Sequence, residues 1–581
     1  MVLAAAERHP GAALRHRDGE GWHDITYAEL GRQARELARG LMALGVEPGT
    51  PVAILSSTRA EWTVVDCAAH CAGATVVPIY HTNSPGECEY VLGHSETEVV
   101  LCEDADQLAK VQEVRDRLPK LRHVVTFDDS GDLSLEQLRE RGAEIPARAV
   151  DEAVAAVGPD DVATIVYTSG TTGPPKGCMT THRNCMATMD MYEHQLDFDP
   201  TKEVVIFLFL PLAHSLARIT QMVTLDIGGT LAFWRGDAKL VLEDITDIQP
   251  THVPSVPRVF EKIHTKALAG VDDAGRLKRM VFDWAVGVGR EARTRERAGR
   301  PVGGLLERRR RLADHLVLSK VRGLFGERLQ LALTGAAPIN PEVIEFFDAC
   351  GITLLEGYGM TETTAAATLN TAGEFRIGTV GRPLPGTEVM VAPDGEILMK
   401  GPNIFAGYYK NEDATRETFT DDGWLCSGDL GEIDADGFVR VTGRKKDLIL
   451  TSSGTNITPS NIESALRDSR WVSQAVVYGD NRPYVVAMVT LDPDELPALA
   501  ERCGVTPDPA QMARDPRVIA EIAADVETAN AHFARIEQVK RFAILDHDLS
   551  QERGELTPTM KIKRNVVYER YGDTIDALYA D

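Results

Sequence analysis

One stretch constrains the fold more than any other. Val162-Ala163-Thr164-Ile165-Val166 is a short apolar run, and it leads straight into Tyr167-Thr168-Ser169-Gly170-Thr171-Thr172-Gly173-Pro174-Pro175-Lys176-Gly177. β-Branched side chains suit a pleat covered on both faces, so the run predicts a buried strand in a mostly parallel sheet. A loop so rich in Gly, Thr and Ser at a strand's end suits a triphosphate. Gly lets the backbone come close, N–H groups and hydroxyls donate to phosphate oxygens, and Lys176 offsets their charge. The string is not a Walker A loop, because Pro175 stands where the second Gly belongs and Gly177 follows the Lys. A surface turn is the plain alternative, since the composition also suits one.

Apolar runs alternate with helical patterns on the N-terminal side of this loop. Thr26-x-x-Glu29 is a capping-box pattern, and Leu30, Ala34, Leu37 and Leu41 recur at helical spacing until Gly45. Val52–Leu55, Ala74–Pro78, Glu98–Leu101 and Val124–Thr126 read as strands, and Arg59–Ala72 as a helix. Such alternation predicts a doubly wound α/β layer. At 581 residues the chain exceeds one ordinary core, so two or more domains are expected.

Charge and cysteine usage narrow the function classes. With 62 basic against 87 acidic side chains the net charge is −25, which excludes nucleic acid as an expected partner while leaving nucleotides open. Nine cysteines show no paired metal spacing, which points to reduced thiols in a cytoplasmic protein. No apolar run reaches the roughly 18 residues that span a bilayer. A peripheral membrane contact stays open. Arg308-Arg309-Arg310-Arg311 lies in an Arg-rich region and could attract anionic headgroups or the phosphates of coenzyme A. The preferred reading is a solvated helix face docked through Leu305, Leu306, Leu312, Leu316 and Leu318.

Further strings supply chemistry. His214 follows the run Val204–Leu210, and open α/β sheets bind ligands at strand C-termini; a structural His is the alternative. Phe233 reads as core. Small residues at Gly335-Ala336-Ala337 would let a flat base slide against the backbone. In Glu356-Gly357-Tyr358-Gly359-Met360-Thr361-Glu362 the two Gly residues free a turn around Tyr358. Its ring can stack on adenine, Thr361 can donate to a phosphate, and Glu362 can hold Mg²⁺.

Together these strings resemble the adenylate-forming superfamily, and most of all its bacterial long-chain fatty-acid–CoA ligases, from about Asp24 to Arg564. The resemblance implies a large N-terminal domain of doubly wound sheets (1–443) and a small mobile α+β lid (444–581). It assigns ATP to Thr168, Ser169, Gly170, Thr171, Thr172, Gly173 and Lys176, with Thr171 and Glu362 on the metal. It places adenine at Gly335, Ala336, Ala337, Glu356, Gly357, Tyr358 and Gly359. Asp429 and Arg444 fall at its ribose and phosphate contacts, His214 borders the acyl carbonyl, Trp234 gates the acyl tunnel, and Gln249–Arg258 lines the acyl pocket. Lys446 falls at the hinge and Lys561 at the catalytic lysine, with Thr361 and Glu362 assisting. The implied reaction joins a fatty acid to coenzyme A at the expense of ATP, and a homodimer stays open. An acyl-AMP ligase feeding a carrier protein, an aryl- or medium-chain acid ligase, and a non-catalytic nucleotide sensor remain as rivals.

Overall fold

The computed structural model describes residues 1–19, 21–168, 174–196, 198–199, 201–272, 275–452, 455–557 and 559–580. Among these residues, two large α/β sheets carry the N-terminal part. The first runs, strand by strand, through Gly407–Tyr408, Lys176–Thr181, Val162–Thr168, Thr75–Tyr80, Pro51–Ser56, Val99–Cys102 and His123–Thr126. Its interior pairs are parallel, and the hydrophobic run at 162–168 is buried against both neighbours as its sequence requires. The two strands beyond it are antiparallel.

That edge adds an element the sequence did not announce. After the phosphate loop Lys176–Thr181 turns back as a strand, and a helix follows at His182–Leu196. Six residues with two Thr and a Gly give too weak a period to announce a strand. Here the pairing with Val162–Thr168 supplies what propensity does not.

The second sheet orders Arg382–Pro383, Ala365–Leu369, Leu354–Met360, Leu331–Thr334, His252–Ser255, Val205–Leu208, Thr230–Phe233, Ala12–Asp18 and Gly21–Thr26. Helix Tyr27–Ala43 packs beside it, its start capped by Thr26, which accepts from the Glu29 N–H at 3.2 Å. Gly45, at φ +89°, ends it in a conformation that favours glycine.

The two sheets are locked by a buried ion pair. Arg218, on helix Ser215–Asp226, donates to Asp66 on helix Ala60–Cys71 at 2.9 Å, and both side chains are almost wholly buried. Gln221 donates to the other Asp66 oxygen at 2.8 Å, and the Arg218 guanidinium lies 5.2 Å from the Trp62 ring centre. Truncating one partner of such a pair costs about 3–5 kcal/mol, because the other charge is left buried alone.

A four-stranded antiparallel sheet, Glu388–Val391, Glu396–Lys400, Leu425–Ile433 and Val439–Arg444, follows. After Arg444 come the 3₁₀ turn Lys445–Asp447 and a separate core centred on Val472–Tyr478, Val486–Leu491 and Arg541–Ile544. The third of these strands joins in parallel and carried no alternation to announce it.

Glu356–Met360 corrects the sequence reading: it is not a turn but the end of strand Leu354–Met360, paired antiparallel with Ala365–Leu369. Its glycines serve close approach. A Cβ at Gly359 would lie 1.9 Å from the Ala365 carbonyl oxygen, and one at Gly357 would meet Leu369 at 2.9 Å. The chain reverses later, where Thr364 and Ala365 take positive φ.

Candidate active site

The candidate residues gather where parallel strands end, as the rule for open α/β sheets requires. His214, Trp234 and Gly335 each follow the carboxyl end of a strand in the second sheet. Thr58 follows Pro51–Ser56 in the first. The register Thr334 to Glu356 sets the strings Gly335–Ala337 and Glu356–Gly359 side by side, and a Cβ on Gly335 would stand 3.1 Å from the Gly357 carbonyl oxygen. Ala336 takes a left-handed φ of +68°. Burial lifts the Glu356 carboxyl up to about 8, so it is a neutral acid at pH 7.

On the third sheet, Asp429 and Arg444 face each other across an antiparallel pair. Arg444 donates from Nε to Asp429 Oδ1 at 2.8 Å, and the Tyr358 hydroxyl donates to Oδ2 at 2.7 Å. Burial, and next the Asp429 charge, hold the Tyr358 phenol protonated far above its ordinary range. Tyr358 is thereby pinned at its tip, leaving its ring as a fixed face.

Glu362 sits in the 3₁₀ turn Thr361–Thr363 and is buried, with Thr361 opening the same turn. It is positioned by a residue the sequence did not flag. The Tyr408 hydroxyl donates to Glu362 Oε1 at 2.7 Å, and Lys176 Nζ lies 4.7 Å from the centre of the same Tyr408 ring. The short strand Gly407–Tyr408, paired to Lys176–Thr181, carries this tyrosine between lysine and carboxylate. Nothing local in the sequence announces it, because the link spans distant parts of the chain.

His214 is the N-cap of helix Ser215–Asp226. Its Nδ1 accepts from the Leu216 N–H at 3.2 Å, which leaves the proton of the neutral ring on Nε2. Burial, and next the Lys561 charge, lower its pKa to about 4. Lys561 therefore lies in the same cleft. Its side chain is exposed to solvent. Nevertheless the protein mass around it, and next the Arg444 guanidinium, lower the ammonium pKa, while Asp429 and Glu362 pull the other way. One lysine thus feels His214, Glu362, Asp429 and Arg444, which come from three separate stretches ahead of the turn Lys445–Asp447.

The Trp234 indole donates to the Thr58 carbonyl at 3.1 Å and tilts against Phe209 at 6.4 Å between ring centres; Phe233 is buried in the core, as its pattern predicts. Thr58 is itself held, donating to the Leu210 carbonyl at 2.7 Å. Thr168 ends its strand opposite Lys176, whereas Ser169, Gly170, Thr171, Thr172 and Gly173 lie outside the described residues. Lys446 is an exposed residue in the turn Lys445–Asp447, two residues past Arg444. Its neighbours are anchored on opposite sides. Lys445 pairs with Asp394 at 2.6 Å and Glu396 at 2.9 Å in the third sheet, while Asp447 faces Arg564 of the lid at 3.6 Å.

The described residues hold no cluster of three or more His, Cys, Asp or Glu side chains placed to bind a metal by themselves. Glu362 offers one hard carboxylate, and Mg²⁺ commonly takes one or two carboxylates together with substrate phosphates, so the cleft fits that ion.

Residues 2–409 match a family model described as AMP-binding enzyme, and residues 446–581 match one described as AMP-binding enzyme C-terminal domain. The chain is 39% identical to long-chain-fatty-acid–CoA ligase FadD15 of Mycobacterium bovis, across 100% of this chain and 96% of that protein. It is 33% identical to long-chain-fatty-acid–CoA ligase ACSBG2 of Xenopus laevis, across 98% of this chain and 82% of that one. Among solved structures, the adenylation domain of a carboxylate reductase from Mycobacterium chelonae matches with a TM-score of 0.79 at 24% identity, covering 100% of this chain and 90% of that one. The A domain of a carboxylic acid reductase from Segniliparus rugosus, in complex with AMP and a co-purified carboxylic acid, matches at 0.77 and 23%, covering 100% and 93%. At those identities the structural likeness speaks to the fold alone.

Proposed function

The chain belongs to the family of AMP-binding enzymes, and we propose on that basis that it is an AMP-forming long-chain fatty-acid–CoA ligase. The observation that carries the reading is the convergence of Lys561 from the lid with Glu362, Asp429, Arg444 and His214 in one cleft. The full-length likeness to long-chain-fatty-acid–CoA ligases supports the substrate class.

The first step is attack of a fatty carboxylate oxygen on the α-phosphorus of ATP. The bond to the bridging oxygen breaks and pyrophosphate leaves with the electron pair. Lys561 and Arg444 balance charge on the phosphate and carboxylate oxygens, and such preorganised groups act where charge develops. His214, with its proton on Nε2, donates to the acyl oxygen. Asp429 accepts from the ribose hydroxyls, and Tyr358 and the Gly335–Ala337 backbone enclose the base. Glu362 would hold Mg²⁺, which when bound would neutralise phosphate charge. In the second step the CoA thiolate attacks the acyl carbon, and AMP leaves with the electrons of the carbon–oxygen bond. All nine cysteines are free, which supports a reducing, cytoplasmic setting.

Consumption of free CoA thiol with MgATP and straight-chain acids from acetate to oleate tests this. We expect thiol loss that peaks with long chains. Pyrophosphate release without thiol loss would mark an acyl-AMP ligase instead, and a maximum at short or aromatic acids would overturn the substrate class.

A further inference from the structure

The Arg-rich region does not pack as its sequence suggested. Helix Gly304–Ala313 continues through a π-turn, Asp314–Leu318, into Ser319–Gly323. Leu306, Ala313, Leu318 and Val321 face inward, joining the core that holds Phe260 and Phe282 and on which Trp234 packs. Leu305, Leu312 and Leu316 face outward, with 76%, 52% and 39% of their surface exposed. The helix therefore carries two apolar faces, and only one is used.

Spacing puts arginines on the unused face. Arg308 and Arg309 lie three and four residues from both Leu305 and Leu312, so they share the outward stripe. Arg310 turns away to Glu296 at 2.7 Å and Glu307 at 3.0 Å, and Arg311 pairs with Glu307 at 3.3 Å. Neither Arg308 nor Arg309 makes an ion pair or hydrogen bond among the described residues. From Arg276 to Arg322, fourteen Lys and Arg side chains stand against five Asp and Glu, in a chain whose net charge is −25. Local charge here is opposite to that of the whole molecule.

We propose that the outward stripe of Gly304–Gly323 docks on an anionic phospholipid surface, with Leu305, Leu312 and Leu316 entering the acyl boundary and Arg308 and Arg309 on the headgroups. Aliphatic side chains flanked by long basic ones suit an interfacial helix. The stripe carries no Trp, Tyr or Phe, which dominate the anchors of protein interfaces. A second copy offering the same face would set arginine against arginine. The proposal stands on the two faces of this helix and not on the ligase reaction.

Flotation of the full-length protein with phosphatidylglycerol–phosphatidylcholine vesicles, against pure phosphatidylcholine, tests it. Partitioning onto anionic vesicles should exceed that onto neutral ones at least tenfold and fall as salt rises. Arg308→Gln with Arg309→Gln should lower it roughly 30-fold, while Lys at both positions restores it. Leu305→Ser with Leu312→Ser should lower it roughly tenfold or more, with an unchanged melting point and unchanged turnover of a water-soluble acid. Equal binding to both vesicle types, no binding by the parent, or parent-like binding by both double variants would overturn the proposal. So would a dimer that the Leu variant dissociates while vesicles leave the parent unbound.

Discussion

Two titrating side chains make the cleft testable residue by residue. Glu356 holds its proton up to about 8 because it is buried, whereas an ordinary glutamate releases it near 4.5. Between those values the unfolded chain has lost the proton and the native chain has not, so stability falls as pH rises and levels off above about 8. Glu356→Gln keeps the neutral shape without the titration. Its melting point should match the parent below pH 4.5 and exceed it by a gap that widens up to pH 8; a gap independent of pH would show that Glu356 ionises normally. Lys561 is the other. Its lowered pKa should bring the alkaline limb of kcat/KM for adenylation below the ordinary lysine value, and Arg444→Gln, by removing a positive neighbour, should move that limb up. Lys561→Ala should cost adenylation about 10²–10³ in rate and spare thiolation of supplied acyl-adenylate; equal loss in both half-reactions would refute its role. The identities of these residues were legible in short strings. Their coupling was not, because Lys561, Arg444 and Glu362 meet only through tertiary structure, and no spacing along the chain encodes that.

Among elements, buried parallel strands were the most legible, since a β-branched run such as Val52–Leu55 has few other places to go. What escaped were elements made by their partners. Lys176–Thr181 and Gly407–Tyr408 are strands because each completes the edge beside the phosphate loop, and Tyr408 acquires its place between Lys176 and Glu362 only through that edge. Leu305, Leu312 and Leu316 were misread for the opposite reason: leucine at helical spacing signals burial, and here the burying element is absent from the chain's own fold among the described residues. The turn Lys445–Asp447 is the element that movement must pass through, because Lys445 is fastened to the third sheet and Asp447 faces the lid. Lys446 lies between those anchors and makes no hydrogen bond or ion pair among the described residues. Hinges are a few residues that absorb large dihedral changes, and proline fixes φ near −65°. Lys446→Pro should leave pyrophosphate release within about threefold of the parent, because this lid position already satisfies adenylation, and should abolish CoA ester formation. Survival of both steps would put the hinge elsewhere.

For the whole molecule, the question is what holds the lid where Lys561 meets the cleft. On the proposed function a chain of net charge −25 has to bind polyanions, and Lys176, Arg444 and Lys561 are the cations that would be set locally against its own field. Among the described residues, polar contacts between lid and body include Arg258 to Asp492 at 3.0 Å, Lys262 to Asp494 at 2.8 Å, and Gln551 to Thr82 at 3.0 Å. Partly exposed pairs of this kind contribute about 0–1 kcal/mol each, which suits a lid that must let go. One contact is different in kind. Asn340 of the body donates to Asp468 of the lid, and although Asp468 keeps solvent exposure, the protein mass packed around its carboxyl pushes it up to about 7. Glu261 and Glu342 of the body press in the same direction, while Asn340 and the lid's Arg467 oppose them. Released from this interface, Asp468 would return toward its ordinary 3.8, so the docked lid binds a proton that the free lid does not. Docking is therefore strongest at low pH and loses this contribution as pH rises toward 7. Asp468→Asn removes the titration while keeping a group that can bond to Asn340. Hydrogen exchange in segments 338–343 and 466–470, compared between parent and variant at matched pH, should agree below about pH 3.8, diverge as pH rises toward 7, and run faster in the parent at pH 8, where the charged carboxylate weakens the docked state. A difference that stays constant between those pH values would mean that Asp468 titrates alike in both lid positions and plays no part in releasing it.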